Sequence, residues 1–143
     1  MMLPGTEGLS IKVYKMDEVN HRAVLKVRFG PGTSMPRQIL HCYAVAYTIW
    51  GSWTCDKVSF CAGDAAYGAP GNNLRPSSEE GTELMIIIDS TNGQYIDNIM
   101  PDLTTLHLGE RWLKALEGIS LDKYRQLKQM SLIDAFPEGR KVS

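Results

Sequence analysis

The stretch from Gly32 to Ser78 constrains the fold of this chain more than any other part. It consists of β-prone segments separated by glycine-containing turns, the longest segment running from Ser34 to Trp50 and the next from Trp53 to Cys61. Glycine and proline favour turns, whereas branched and aromatic residues favour strands. The glycines that separate the segments are Gly32, Gly51, Gly63 and Gly71. Their spacing predicts a β domain whose strands are joined by turns.

The same spacing resembles the first motif of the cupin family of small β-barrels. That motif has a glycine, five residues, His-x-His, three or four residues, Glu, six residues and a second glycine. Gly32 and Gly51 fall at the two glycine positions of this pattern. The positions of the two histidines and the glutamate hold Gln38, Leu40 and Ala44.

The second cupin motif, a glycine followed by Pro-x-Gly, a histidine and an asparagine, is matched in the same partial way. Gly63 and Gly71 occupy its glycine positions, and Ala69 takes the proline position with Pro70 beside it. The histidine and asparagine positions hold Leu74 and Ser78. The scaffold spacing is therefore kept, while the metal-ligand positions hold residues that bind metal poorly or not at all.

This resemblance implies an all-β fold, a cupin-like double-stranded β-helix or jelly-roll barrel, without the usual metal and without another cofactor. The sequence adds a short helical appendix, because residues 110–117 have a helical apolar face of Trp112, Leu113 and Leu116, and Ser120 is placed to cap a second helix. We predict an N-terminal arm over 1–10, the barrel over 11–106, C-terminal helices over 107–136 and a tail over 137–143. Within the barrel, strands are expected at 11–15, 22–29, 65–68 and 82–90, and a loop at 95–106.

Composition limits the partners. The 143 residues suit one domain, and a net charge of −1 without a basic run argues against nucleic acid. No apolar run is long enough to cross a bilayer, and no secretory signal is visible at the N-terminus, so neither a membrane nor export is expected. The odd count of three cysteines, which has no CxxC pair, predicts reduced thiols and a cytoplasmic location.

Strand alternation predicts which residues of the central segment line the barrel. One side carries Gln38, Leu40, Cys42, Ala44, Ala46 and Thr48, and the cupin register places this side inside. The opposite side carries His41, Tyr43, Val45, Tyr47 and Ile49, an aromatic and branched surface that favours a homodimer or cover by the C-terminal helices. A β-bulge within 38–44 would exchange the two sides and bring His41 and Tyr43 inside.

Removing the metal ligands of a cupin leaves a concave apolar cup, the usual shape of a small-molecule site. The predicted substrate-binding residues are Gln38, Leu40, Cys42, Ala44, Asn72 and Leu74. The predicted catalytic residues are His41, Tyr67 and Tyr43: a histidine titrates near neutral pH, and a tyrosine can donate to a developing enolate oxygen. The simpler interpretations are a surface histidine and packed strand aromatics.

Three functions are compatible with this pattern. The first is a metal-independent isomerase, cyclase or lyase that moves protons on a small, apolar, oxygenated molecule, in the manner of secondary-metabolite biosynthesis. The second is a metal-dependent dioxygenase or lyase with shifted ligands, among them His41. The third is a binding protein without catalysis. An enzyme would lose turnover on substitution of His41, Tyr67 or Gln38, whereas a carrier has no turnover to lose.

Overall fold

The computed structural model describes residues 8–100, 103–117 and 141–142, with the side chains of Trp112, Lys141 and Val142 excepted. The strands in chain order are β1 (Leu9–Asp17), β2 (Arg22–Phe29), β3 (Thr33–Ser34), β4 (Arg37–Leu40), β5 (Tyr43–Cys55), β6 (Val58–Cys61), β7 (Ala65–Gly68), β8 (Asn73–Leu74), β9 (Ser77–Ser78), β10 (Thr82–Asp89), β11 (Gln94–Ile99), β12 (Thr105–Gly109) and β13 (Lys141–Val142). Helix α1 (Glu110–Leu116) follows β12 directly.

Two antiparallel sheets form a jelly-roll barrel, which confirms the predicted all-β fold. The larger sheet has eight strands in the order β1-β2-β10-β5-β9-β3, with β6 and β7 also paired to β5. The smaller sheet has five strands in the order β13-β12-β11-β4-β8. The core lies between them, and its fully buried members include Leu9, Phe29 and Tyr95. Leu9 belongs to β1, so ordered barrel structure begins inside the range predicted as an arm.

The alternation predicted in β2 and β5 is confirmed. Leu25, Val27 and Phe29 of β2 are at most 4% exposed, whereas Arg28 on the other face is exposed. In β5 the outward side chains of Tyr43, Val45, Tyr47 and Ile49 are between 40% and 48% exposed. The sheet therefore turns an aromatic and branched surface outward, and the prediction that this surface joins two copies of the chain stays a prediction.

The β-prone segment predicted from Ser34 to Trp50 is divided among three strands. The segment forms β3, β4 and the start of β5, and the chain passes from the smaller sheet to the larger one through His41 and Cys42. Two facing sheets cannot share a straight strand, so a bend is required where the chain changes sheets.

The predicted turn at Gly51 was wrong, because β5 continues to Cys55 and turns only at Asp56 and Lys57. Gly51 instead belongs to an irregular part of β5, where the register with β10 shifts between the pairs Glu83–Trp50 and Leu84–Thr48. Gly51 has φ +81°, and a Cβ there would lie 2.1 Å from the carbonyl oxygen of Gly81. Glycine is therefore required for the two strands to approach each other at this point.

Two further expectations were corrected. The range 95–106, expected to be a loop, contains most of β11 and the start of β12. The unbroken apolar run of 84–88 predicts a strand that is buried on both faces, but the side chain of Ile87 in β10 is 50% exposed. Helix α1 confirms the first predicted helix, and its Leu113 and Leu116 are buried. The second predicted helix lies outside the described residues.

Candidate ligand-binding cup

The barrel encloses a cavity of about 420 Å3 that is open at one end. Strand β5 forms one wall of the cavity through the small inward side chains of Ala44 and Ala46. Trp53 and Phe60, stacked with ring centroids 4.3 Å apart, form another part of the wall. The remaining lining is mostly aliphatic, from Ile11, Leu25, Val27, Leu84, Ile86, Ile88, Ile96 and Leu108. Cavities of this size and character suit small organic ligands.

Five residues predicted from the sequence line this cavity, namely Gln38, Leu40, Ala44, Leu74 and Tyr67. The first four come from positions that the cupin motif reserves for metal ligands. Tyr67 lies nearer the solvent, since its side chain is 70% exposed. The fold thus brings these four motif positions together around one cavity.

Four other predicted residues lie elsewhere. Cys42 is fully buried in the core, and burial raises the pKa of its thiol to about 12, so it does not supply a thiolate near neutral pH. Asn72 stabilises the turn after β7, because its side-chain oxygen accepts a hydrogen bond of 2.8 Å from the backbone nitrogen of Ala69. His41 and Tyr43 are not among the residues that line the cavity. The bulge that would have brought them inside is absent from 38–44.

The open end of the cavity carries its acidic and phenolic groups. Asp56 and Val58, from the β5–β6 hairpin, and Tyr67 of β7 are exposed members of the cavity lining. Cys55 also lines the cavity and is partly buried, and burial raises the pKa of its thiol above the ordinary value. Asp56 is the only charged residue of the cavity lining within the described part of the chain. A charged ligand would therefore find no opposite charge deeper in the cup.

Gln38 brings a hydrogen-bonding group into the apolar part of the cavity, and its partner is a residue that the sequence did not reveal. Its amide nitrogen donates to the side-chain oxygen of Asn98 at 2.9 Å, and both residues are at most 6% exposed. Asn98 lies in β11, a strand predicted as a loop, so no alternation pattern drew attention to it. Gln38 and Asn98 are directly paired in the register of β4 and β11.

The overall shape matches solved structures. A protein of unknown function with a cupin-like fold, from Ralstonia eutropha JMP134, aligns with a TM-score of 0.65 and 24% identity over 86% of this chain and 75% of its own. The chain has a cupin fold. An RmlC-like cupin from the same organism aligns at 0.58 and 18% identity, over 89% of this chain and 79% of its own. An acetylacetone dioxygenase from Acinetobacter johnsonii aligns at 0.66 with 8% identity, over 77% of each chain. No protein-family model and no curated protein sequence matches the chain.

The side chains at the cupin ligand positions do not fit a metal ion. Leu40, Ala44 and Leu74 have no lone pair to donate, and Gln38 offers one amide oxygen, a weak ligand. Within residues 8–100 and 103–117, no three histidine, cysteine or acidic side chains are grouped in a way that could hold a metal. The shifted-ligand hypothesis placed His41 at such a site, yet His41 is not part of the cavity lining.

His41 belongs to a cluster on the outer face of the smaller sheet. Its Nε2 lies 2.9 Å from Oδ2 of Asp97, and Nδ1 of His107 lies 2.7 Å from Oδ1 of the same carboxylate. Burial acts to raise the pKa of Asp97, but the hydrogen bonds from His107 and His41 outweigh it, so the pKa lies below the ordinary value. The sequence analysis treated His41 and His107 as separate, because they are far apart along the chain.

A second histidine–carboxylate contact lies where α1 begins. His21 contacts the carboxylate of Glu110, which also accepts a hydrogen bond of 3.1 Å from the hydroxyl of Tyr95. Burial and this carboxylate raise the pKa of Tyr95. The His21–Glu110 contact joins the turn between β1 and β2 to α1, the Tyr95–Glu110 contact joins β11 to α1, and none of these residues lines the cavity. In the described part of the chain, no helix is long and apolar enough for a membrane span.

Proposed function

We propose that this cupin-fold protein binds a small, uncharged, largely apolar organic molecule in the cup, and that it does so without a metal. The observation that carries the proposal is the lining of the 420 Å3 cavity, which is aliphatic and aromatic apart from Gln38, Cys55 and the groups at the mouth. Burial of apolar surface supplies the affinity in such a site, and a few polar groups set the orientation.

The absence of a charged group deep in the described lining argues for a neutral ligand. An ion moved from water into an apolar site is strongly disfavoured unless an opposite charge meets it. Asp56 would repel an anion, and its exposed position at the mouth leaves a cation only partly desolvated. A neutral ring compound avoids both the loss of ionic hydration and the repulsion by Asp56.

Calorimetric titration with 2-naphthol and with 2-naphthoate tests this function. The two probes share a ring system and differ in that only the second is charged at neutral pH. We expect 2-naphthol to bind and 2-naphthoate to bind at least about 100-fold more weakly, because an unpaired buried carboxylate costs several kcal/mol. Equal affinities, or no binding of 2-naphthol, would contradict the proposal.

The metal-free part of the proposal has its own measurement. Protein purified without chelator or metal-affinity resin should contain less than about a tenth of an equivalent of transition metal per chain, because the motif positions lack strong donors. Reconstitution with iron, manganese, nickel and zinc should leave 2-naphthol affinity unchanged. A stoichiometric metal would favour the alternative, a metal-dependent dioxygenase or lyase. The neighbour named as an acetylacetone dioxygenase shares only the fold at 8% identity.

A second candidate function is acid–base catalysis of the isomerase, cyclase or lyase type. The observation that favours it is that the lining of one cavity includes both Asp56, whose carboxylate can accept a proton, and Tyr67, whose phenol can donate one. Such chemistry exchanges hydrogens beside a carbonyl. Incubation of 2-tetralone in deuterated water, followed by proton magnetic resonance, would reveal protein-dependent exchange that Tyr67→Phe reduces. Exchange at the rate of buffer alone would leave binding as the function.

A further inference from the structure

The amide pair of Gln38 and Asn98 occupies an unusual place in the smaller sheet. The register aligns Leu74 with Gln38, Gln38 with Asn98, and Asn98 with Leu106. These four residues form one row across β8, β4, β11 and β12, and the polar pair sits between a leucine on either side. Gln38 and Leu74 line the cavity, so the end of the row on β4 and β8 forms part of its wall, with Asn98 buried directly behind Gln38.

The pair does not satisfy all of its own hydrogen-bonding groups. Asn98 is only 1% exposed. Among the described residues, its amide nitrogen is a buried side-chain atom with no hydrogen-bond partner. Within the same residues, Gln38 makes one side-chain hydrogen bond, the one to Asn98. An unpaired buried polar group is disfavoured, so a pair of this kind requires a further partner.

Rotation of both amides by half a turn reverses the hydrogen bond between them. The Asn98 nitrogen then donates to the Gln38 oxygen, and the Gln38 nitrogen is left free at the cavity wall. This exchange relieves an unpaired N–H at Asn98 and leaves a carbonyl oxygen in its place, which proteins tolerate more often. In one arrangement Gln38 offers the cavity an acceptor, and in the other it offers a donor.

We infer that the Gln38–Asn98 pair is the polar anchor of the cup and that the natural ligand carries a hydroxyl group at its buried end. A hydroxyl both donates and accepts, so it pairs with Gln38 in either arrangement of the amides. The remainder of the ligand contacts the aliphatic and aromatic wall. This inference rests on the proposed binding function and adds the chemical class of the ligand, a neutral alcohol or phenol.

A purely structural role for the pair makes a different prediction. Buried amide pairs can fix the register of neighbouring strands, and their loss then lowers stability without changing ligand selectivity. The discriminating quantity is therefore the preference for a hydroxyl over a methyl group, compared between the protein and its variants. The comparison cancels the difference in hydrophobicity between the two probes.

The experiment measures the dissociation constants of 2-naphthol and 2-methylnaphthalene, which differ by one hydroxyl-to-methyl exchange, by competition calorimetry. The test variant is Gln38→Met/Asn98→Leu, in which both amides are replaced by apolar groups of similar shape, a change that avoids an unpaired partner. The matched control is Gln94→Met, a glutamine on β11 that is exposed. Gln38→Met alone repeats the test if the double variant does not fold.

The expected result is that the preference for 2-naphthol falls about three- to tenfold in the test variant and stays unchanged in Gln94→Met, since one neutral hydrogen bond is lost. The inference is overturned if both probes bind and the preference does not change. If neither probe binds the unmodified protein, the proposed function fails and this inference fails with it. Thermal unfolding of each variant separates lost folding from lost selectivity.

Discussion

Two neighbouring rows of residues cross the smaller sheet and face opposite ways. The inner row contains Gln38 and Asn98, which are buried and uncharged. The outer row contains Asp97 and His107, whose side chains are 26% and 33% exposed. One step along β11 separates Asn98 from Asp97, so strand alternation alone places a neutral amide inside the barrel and a carboxylate outside. The barrel interior of this sheet thus carries neutral amides, whereas His41 and His107 contact a carboxylate on the outer face.

The largest effect is expected inside the cavity, on the inner surface of β5 in the larger sheet. Ala46→Phe places a ring in the cavity and should weaken 2-naphthol binding about 100-fold, because the probe loses contacts worth several methylene groups. Val45→Phe is the matched control, since Val45 is the preceding residue and is 42% exposed. Calorimetric titration measures both. Equal losses in the two variants would mean that the cavity is not the binding site.

The next effect concerns the outer row. Asp97→Asn removes the negative charge that faces His41 and His107, and it should lower the free energy of unfolding by about 1–2 kcal/mol, a value reduced for partial solvent exposure. Urea unfolding at pH 7 measures the loss. The affinity for 2-naphthol should not change. A large loss of affinity in this variant would contradict the separation of the two rows.

The same carboxylate predicts a dependence on pH. Because the folded pKa of Asp97 is lower than its ordinary value, its stabilising contribution is complete above the unfolded pKa, near about 4, and is lost as the pH falls through the folded pKa. The difference in unfolding free energy between the unmodified protein and Asp97→Asn should therefore shrink below about pH 4. If the difference in unfolding free energy stayed constant from pH 7 to pH 3, the charge of Asp97 would not be the source of the stabilisation.

The smallest effect is expected at the mouth. Tyr67→Phe should change 2-naphthol affinity less than about threefold, because an exposed hydroxyl contributes little net free energy to binding. Tyr43→Phe is the control, since the two rings lie 6.4 Å apart and only Tyr67 lines the cavity. Calorimetric titration of both variants measures the loss of 2-naphthol affinity, which is then compared with the loss in Ala46→Phe. A loss of tenfold or more at Tyr67 alone would move the polar contact from the Gln38–Asn98 pair to the mouth.

The parts of the fold that were predictable are those where neighbouring residues carry the signal. Alternation in β2 identified the buried face of Leu25, Val27 and Phe29, and the helical spacing of Leu113 and Leu116 identified α1. Gln38, Leu40 and Leu74, which the motif spacing singled out, all line one cavity, and their role in binding stays a prediction. Strand β11 was missed because its sequence, Gln-Tyr-Ile-Asp-Asn-Ile, does not alternate between polar and apolar residues.

The missed strand explains why the candidate site was incomplete. Asn98 and Asp97 both lie in β11, so the partner of Gln38 and the partner of His41 were hidden by the same error. Both pairings join residues at least 56 positions apart in the chain. Contacts of this kind depend on strand register, which is decided by the packing of whole sheets rather than by local sequence.

The sequence by itself determined the glycine spacing, the alternation along β5 and the loss of metal-binding side chains at the motif positions. Only the tertiary structure decided which residues of β5 point inward after Thr48. The irregularity beside Gly51 leaves Ile49 and Trp50 both exposed and turns Trp53 toward the cavity. A one-residue shift reverses every later side chain of a strand, and its position is set by the approach of Gly81 to Gly51, a contact between residues distant in the chain.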